Sequence, residues 1–332
     1  MERQRKRTYD HPAVFTYLIA ICLVCWIAGY AVSLGYPVAE ESSGTLFWDR
    51  LCGLFPDKLF AYILGFVLMG GAGYLLYRFN YALVLIREKT FLPLLLFALL
   101  SSTNPNFFPL KATSIGVFCM LLAIYQLFTS YHDPFSMVRT FKTALLIAFG
   151  SLFWVHILWF LPLFWIGMYN FRSLTPKTFI SSVLGVLTVY WFVLGWAVWE
   201  MDFSLFTTSL VSLSDFGFTH FDLEGRWADW LSLIYTVILV VIAFANIRTH
   251  EHEDSLRSRQ FLSFLMLFFV WALVLFCVYE NSSGEFVHLA SMPAAILYAH
   301  LFTSRRNRYT FGLFLLTIVF YPILLFVQLW SI

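Results

Sequence analysis

Charged residues are scarce in this chain: 12% of its 332 residues, against about a quarter in ordinary soluble domains. Together with 60% hydrophobic residues, that scarcity excludes a water-soluble globular protein. Acids and bases are almost missing from the apolar runs themselves, where an ion-coupled transporter would place Asp, Glu, Lys or Arg. Cysteine is also sparse. Of five, Cys22, Cys25, Cys119 and Cys277 lie in apolar runs, which leaves only Cys52 in a loop and argues against a disulfide framework. The Cys22-x-x-Cys25 spacing puts both thiols on one helix face, where helix or lipid packing is a simpler use than a redox or metal site. Nothing in the pattern points to nucleic acid.

Apolar runs are abundant. A helix needs about 20 apolar residues to cross about 30 Å of hydrocarbon, and such runs recur from Pro12 to Trp330. The fold class is all-α, a polytopic integral membrane helix bundle forming one domain over residues 1–332. Residues 1–11 make a basic N-terminus, and the apolar stretch that follows is too long for a cleaved signal h-region of about 7–15 residues. The run from Thr143 to Tyr169 overreaches a single pass. With Arg3, Arg5, Lys6 and Arg7 in the cytoplasm, two short passes turning near His156 put 17 of the 21 basic residues inside, leaving Arg50, Lys58, Lys111 and Arg226 outside. One long pass would strand Arg172, Lys177 and the clusters at 248–259 and 305–308 on the outer face, against the positive-inside rule. About eleven membrane segments result. The N-terminus is then cytoplasmic, the C-terminus is periplasmic, and the largest outer loop is 200–228. Span 91–103 is also short. It runs into STNPNFFPLK, residues 102–111, which reads as a tight outer loop or a broken element beside a cavity.

Twelve of the nineteen acids fall on the outer side of this topology. THFDLEGRWADW, residues 219–230, is the densest polar cluster. Asp222 and Glu224 there, and Asp49 after Trp48, are candidate general bases on a hydroxyl. Arg226 and Arg50 suit a departing phosphate through paired hydrogen bonds. Lys111, His156 and His220 complete the candidate substrate-binding set. No cofactor and no defined metal motif is expected, although His220 with its neighbouring carboxylates offers donors a divalent metal accepts at the outer face. Two outer stretches, 201–215 and 46–60, carry apolar stripes at helical spacing and read as interfacial helices, sealing the loops or admitting a lipid. On the inner side, THEHED, residues 249–254, reads as a solvated connector. His300 reads as a histidine packed against Ser, Tyr or a backbone carbonyl.

RFNYALVLIREKTFLPLLLFALLSSTNPNFFPLK, residues 78–111, and the stretch 141–192 with its GSLFWVH hairpin and YNFRS turn resemble an uncharacterised family of polytopic inner-membrane proteins of Bacteroidetes, DUF6427-like. That resemblance implies an inner-membrane protein of the cell envelope and assigns no activity. The paired half-helices and interfacial helices are also similar to membrane glycosyltransferases and glycan polymerases that use polyprenyl-linked sugars, although Glu40, Glu41 and Asp49 lack the acidic pattern those enzymes keep in the first outer loop. This second resemblance implies an enzyme acting on a lipid-linked sugar at the outer face, with membrane lipids and a polyprenyl-linked glycan as partners. The alternative is a noncatalytic scaffold that binds an envelope protein. A flippase needs a polar groove between helices, which Ser, Thr, Asn and Tyr alone would have to line.

Overall fold

The computed structural model describes residues 12–33, 47–48, 51, 58–102, 104, 107, 110–217, 223–250, 254–280, 283–304 and 308–331. Among them no strand forms. The order is α1 (Pro12–Ser33), α2 (Lys58–Leu83), α3 (Leu92–Ser102), α4 (Ala112–Thr129), α5 (Met137–Ser151), a 3-10 segment (Val155–Phe160), α6 (Leu161–Asn170), α7 (Pro176–Glu200), α8 (Ser204–Ser214), α9 (Leu223–Thr249), α10 (Leu256–Val278), α11 (Ser283–Ser304) and α12 (Arg308–Ser331). Eight of these helices are long and apolar enough to cross a membrane. Adding α3, α5 and the 3-10/α6 arm gives the eleven segments expected.

The long apolar run is broken where charge placement required. α5 ends at Ser151, residues 152–154 turn, and Pro162 starts α6 in its first turn, where its missing N–H costs no helical bond. The His132 amide bonds the Phe171 carbonyl at 3.0 Å, so the feet of the hairpin meet at one end of the bundle while His156 stands at the other. α5 spans about 22 Å at 1.5 Å per residue, short of a full hydrocarbon crossing. α7 braces it closely. A Cβ on Gly185 would lie 2.6 Å from the Phe141 carbonyl oxygen, so only glycine permits this approach.

At the centre stands α11. Every described residue from Leu289 to Thr303 is buried, against α3, α9 and α10. It is nevertheless the least apolar of the eight long helices, rich in Ala and Ser. Small residues let neighbours approach, and approach rather than hydropathy selects the middle of a membrane bundle. Its one mid-helix tyrosine is satisfied: Tyr298 Oη donates to the Thr236 carbonyl at 2.9 Å, while Thr236 Oγ1 and Tyr321 Oη share a bond of 2.8 Å. These hydroxyls tie α9, α11 and α12 together. Cys22, Cys25 and Cys119 are buried and, with the exposed Cys277, unbridged.

The two ends of the bundle differ in charge. Arg78, Arg87, Lys89, Arg139, Lys142, Arg172, Lys177, Arg248, Arg257, Arg259 and Arg308 belong to one end, the basic end. Glu200, Asp202, Asp215, Asp229, Glu280 and Glu285 belong to the other, the acidic end, with Lys111.

Candidate functional site

At the acidic end two histidines, His156 and His288, are enclosed by aromatics, while Glu200, Asp202 and Asp215 are exposed. His156 is 5% exposed, its ring centroid 4.7 Å from that of Tyr279 and 5.7 Å from that of Trp154. Its imidazole bonds the backbone at Ser212, in α8. Tyr279 Oη donates to the Leu213 carbonyl at 2.7 Å, and Gly217 pairs with the chain at Val278 and Glu280. α8 is therefore fastened across the hairpin tip, which agrees with a helix over 201–215. Of the second interfacial stretch, only Phe47, Trp48, Leu51 and Lys58–Phe60 are among the described residues; the first three are helical, Trp48 is buried, and the last three open α2.

Lys111 precedes α4, half-buried, and its charge is felt by His288. The His288 ring stacks on Phe107 at 4.3 Å, 16° from parallel. The irregular stretch before α4 is held by the Leu110 amide, which bonds the Ala61 carbonyl at 3.1 Å. Lys111 and His156 thus share the end where α11 begins. Asp49, Arg50, His220 and Asp222 lie outside the described residues; Glu224 and Arg226 fall in the first turn of α9 with their side chains outside that set. Among the described residues no group of three His, Cys, Asp or Glu is placed to hold a metal ion.

The basic end holds an arrangement the sequence reading missed. His300 packs against neither Ser, Tyr nor a backbone carbonyl at its Nε2, as expected, but meets the Asp254 carboxylate at 3.0 Å. Asp254 is not a solvated connector residue. Its side chain is 8% exposed, and its second oxygen lies 3.4 Å from Arg87 Nε. The correction has a physical cause. A carboxylate needs compensation when it leaves water, and the chain supplies it from residues 46 and 167 positions away, a pairing no local pattern displays. The only signal available was the shared end: the topology puts residues 84–91, 249–255 and the last turn of α11 together.

Local chemistry builds the pair. Asn80, 3% exposed near the end of α2, accepts from the Ile86 amide at 2.9 Å and donates to the Glu88 carbonyl at 3.1 Å. Those two bonds fold residues 84–91 into a tight connection with Val84 at φ 51°, a conformation β-branched residues rarely adopt. Ser258 Oγ donates to the Val84 carbonyl at 3.0 Å, and Ser255 Oγ caps α10 by accepting from the Ser258 amide at 3.1 Å. The α2–α3 connection, carrying Arg87, is thereby pinned to the start of α10, immediately after Asp254.

Burial alone would push the Asp254 carboxyl up. The hydrogen bond and charge of His300, with the charges of Arg87 and Arg259, outweigh it and hold the group below its ordinary value. A carboxylate accepting from Nε2 fixes the tautomer with the proton there. The opposite ring nitrogen, Nδ1, is buried and has no hydrogen-bond partner. Around the pair is a cavity of about 150 Å³, lined by Ile86, Arg87, Glu88, His250, Asp254, His300, Thr303 and Ser304. At about 30 Å³ per molecule that is room for about five waters or a small polar group. Asn246 steadies two of the lining residues, donating to Ser304 Oγ at 2.7 Å and accepting at its carbonyl from His250 Nδ1 at 3.0 Å.

A bundle of eight long apolar helices, with half-length helices between them and opposite charge at its two ends, defines a multi-pass membrane protein. The chain belongs to a family of unknown function, DUF6427, whose pattern matches residues 57–331. The match runs well past the segments that carry the resemblance in sequence, through the central helix to the last span. No curated protein and no solved structure matches the chain.

Proposed function

We propose that this is an inner-membrane protein of the bacterial cell envelope that acts on a lipid-linked substrate, with His300 and Asp254 as its proton-transferring pair. A polyprenyl-linked sugar is the substrate class implied by the resemblance to membrane glycosyltransferases. The positive-inside rule makes the basic end cytoplasmic, the N-terminus cytoplasmic and the C-terminus periplasmic.

The observation that carries the reading is the carboxylate-bound imidazole beside a cavity, with an arginine 3.4 Å from the same carboxylate. An imidazole oriented in this way takes a proton from an acceptor hydroxyl or returns one to a departing phosphate. The cavity lies at the last turn of α11, beside the connection between α2 and α3, so on this reading a lipid headgroup at the basic end would reach it. Chemistry at the outer face, through Asp49, Asp222 or Glu224 with Arg50, Lys111, His156, His220 or Arg226, is the rival placement, and a divalent metal belongs to that placement. The scaffold reading draws support from α8, whose three ties to the hairpin and to α10 make a firm outer cap for an envelope protein to recognise.

Native mass spectrometry of the gently purified protein separates these. A polyprenyl phosphate or lipid-linked glycan on the wild type, lost from Asp254→Asn and His300→Gln, supports the proposal. Loss confined to Asp49→Asn, Asp222→Asn or Glu224→Gln moves the chemistry outward, and a protein partner with bulk phospholipid alone replaces the enzyme with the scaffold.

A further inference from the structure

A sulfur-rich cluster midway through the bundle lies apart from both ends and stands independently of the function proposed above. Leu18, Cys22, Cys25 and Trp26 are buried along one face of α1, with Cys22 4% and Cys25 1% exposed, so lipid packing is not what these thiols do. Against that face ends α3, which starts at the basic end and stops at Ser102. Its 11 residues carry it about 16 Å into about 30 Å of hydrocarbon. Ser102 is fully buried, and three side chains meet at its hydroxyl. Its Oγ accepts from Trp26 Nε1 at 3.1 Å, donates to Met69 Sδ at 3.7 Å and bonds the Cys22 thiol. Cys25 lies within electrostatic reach of Cys22 and belongs to the cluster of Trp26, Tyr62 and Leu325 on which Met69 packs. The neighbouring Ser101 Oγ is buried with no hydrogen-bond partner.

Two thiols and a thioether thus gather where a half-length helix ends inside the bundle. The carbonyl end of a helix is its negative end, and half-helix ends of this kind within membranes face cations. An ion at this depth must be neutralised locally, because uncompensated charge is costly in hydrocarbon. One cysteine that gives up its proton does this for a monovalent ion. Zinc asks for four donors drawn from Cys, His, Asp and Glu, and among the described residues no three of these converge. Thiolate and thioether sulfur together select Cu(I).

We propose that Cys22, Cys25 and Met69 form a Cu(I) site, with Ser102 positioning the first and the last. On binding, a bond forms between Cu(I) and Cys22 Sγ, the S–H bond breaks and the proton leaves to water. Cys25 and Met69 contribute lone pairs, no electron is transferred, and the net charge of the site stays at zero.

The test is anaerobic competition for Cu(I) between the full chain in detergent and a coloured Cu(I) chelator. The expected result is one Cu(I) per chain, bound about tenfold more weakly for each unit fall in pH because one proton is released. Cys22→Ser and Met69→Leu should each weaken binding by at least about tenfold, while Cys119→Ser/Cys277→Ser, which removes two thiols elsewhere, should leave it unchanged. Absence of a one-to-one complex in the wild type overturns the proposal. So does an equal loss in the Cys119→Ser/Cys277→Ser variant, which would mean unspecific thiol binding. Should Cys22→Ser fail to fold, the volume-conserving Met69→Leu decides alone: unchanged affinity contradicts the site.

Discussion

His156 and His300 are both almost fully enclosed, and each has one ring nitrogen without a partner. Their surroundings separate them. His156 is walled by Trp154, Tyr279 and Phe286, and its one polar tie holds α8 in place. His300 has a carboxylate on Nε2, an arginine behind that carboxylate and a cavity beside it. His288, sandwiched with Phe107 near Lys111, is of the first kind. A histidine inside a membrane bundle is therefore no marker of chemistry by itself. What distinguishes the basic end is a charged partner that orients the ring and a space in which a proton has somewhere to go.

The largest effect should come from breaking that pair. Asp254→Leu leaves the buried Nε2–H of His300 and the half-exposed Arg87 without their acceptor and should cost about 1.5–3 kcal/mol, read as a lower melting temperature in detergent. The same pair dictates a pH dependence. Because the folded carboxyl lies below its ordinary value, its stabilisation is present above about pH 3.9 and is lost as pH falls through the folded value. Asp254→Asn should therefore lack that acid limb, which melting curves between about pH 2 and 5 would record. Asn80→Ala comes next. It strips two hydrogen bonds from the 84–91 connection and should cost about 1–3 kcal/mol, with weaker Arg87 docking as its companion. Tyr279→Phe should cost about 1 kcal/mol and release α8 to limited proteolysis while leaving the basic-end cavity unchanged. Smallest is Arg87→Gln. With its side chain 55% exposed to solvent, its arm of the pair should be worth at most about 1 kcal/mol. A Tyr279→Phe effect larger than that of Asp254→Leu would reverse the contrast between the ends.

Much of the fold was legible because a membrane restricts the answer. Charge placement required a break in the run 143–169, set at His156 and found at residues 152–154, and it grouped the connections that share an end; helical spacing located α8. Hydropathy did not reveal which span is central. In lipid an outward face is as apolar as a buried one, so α11, the most enclosed long helix, is the least apolar, and its Ala and Ser residues were the better indicator. The His300–Asp254 pair was harder. Asp254 sits in a short acidic connector and His300 in a span, and each has an ordinary explanation taken alone; only helix packing joins them to Arg87. The outer carboxylates drew attention because they cluster in sequence, but clustering in a loop says nothing of burial, and burial is what gives Asp254 its character.

Cysteine accessibility tests the contrast most directly. In a background without Cys52 and Cys277, Thr303→Cys and His250→Cys should react with a small charged thiol reagent applied to the basic side of oriented vesicles, while His156→Cys and His288→Cys stay unlabelled. Labelling of His156→Cys and His288→Cys with silence at Thr303→Cys and His250→Cys would contradict the account and move the water-reachable site to the acidic end.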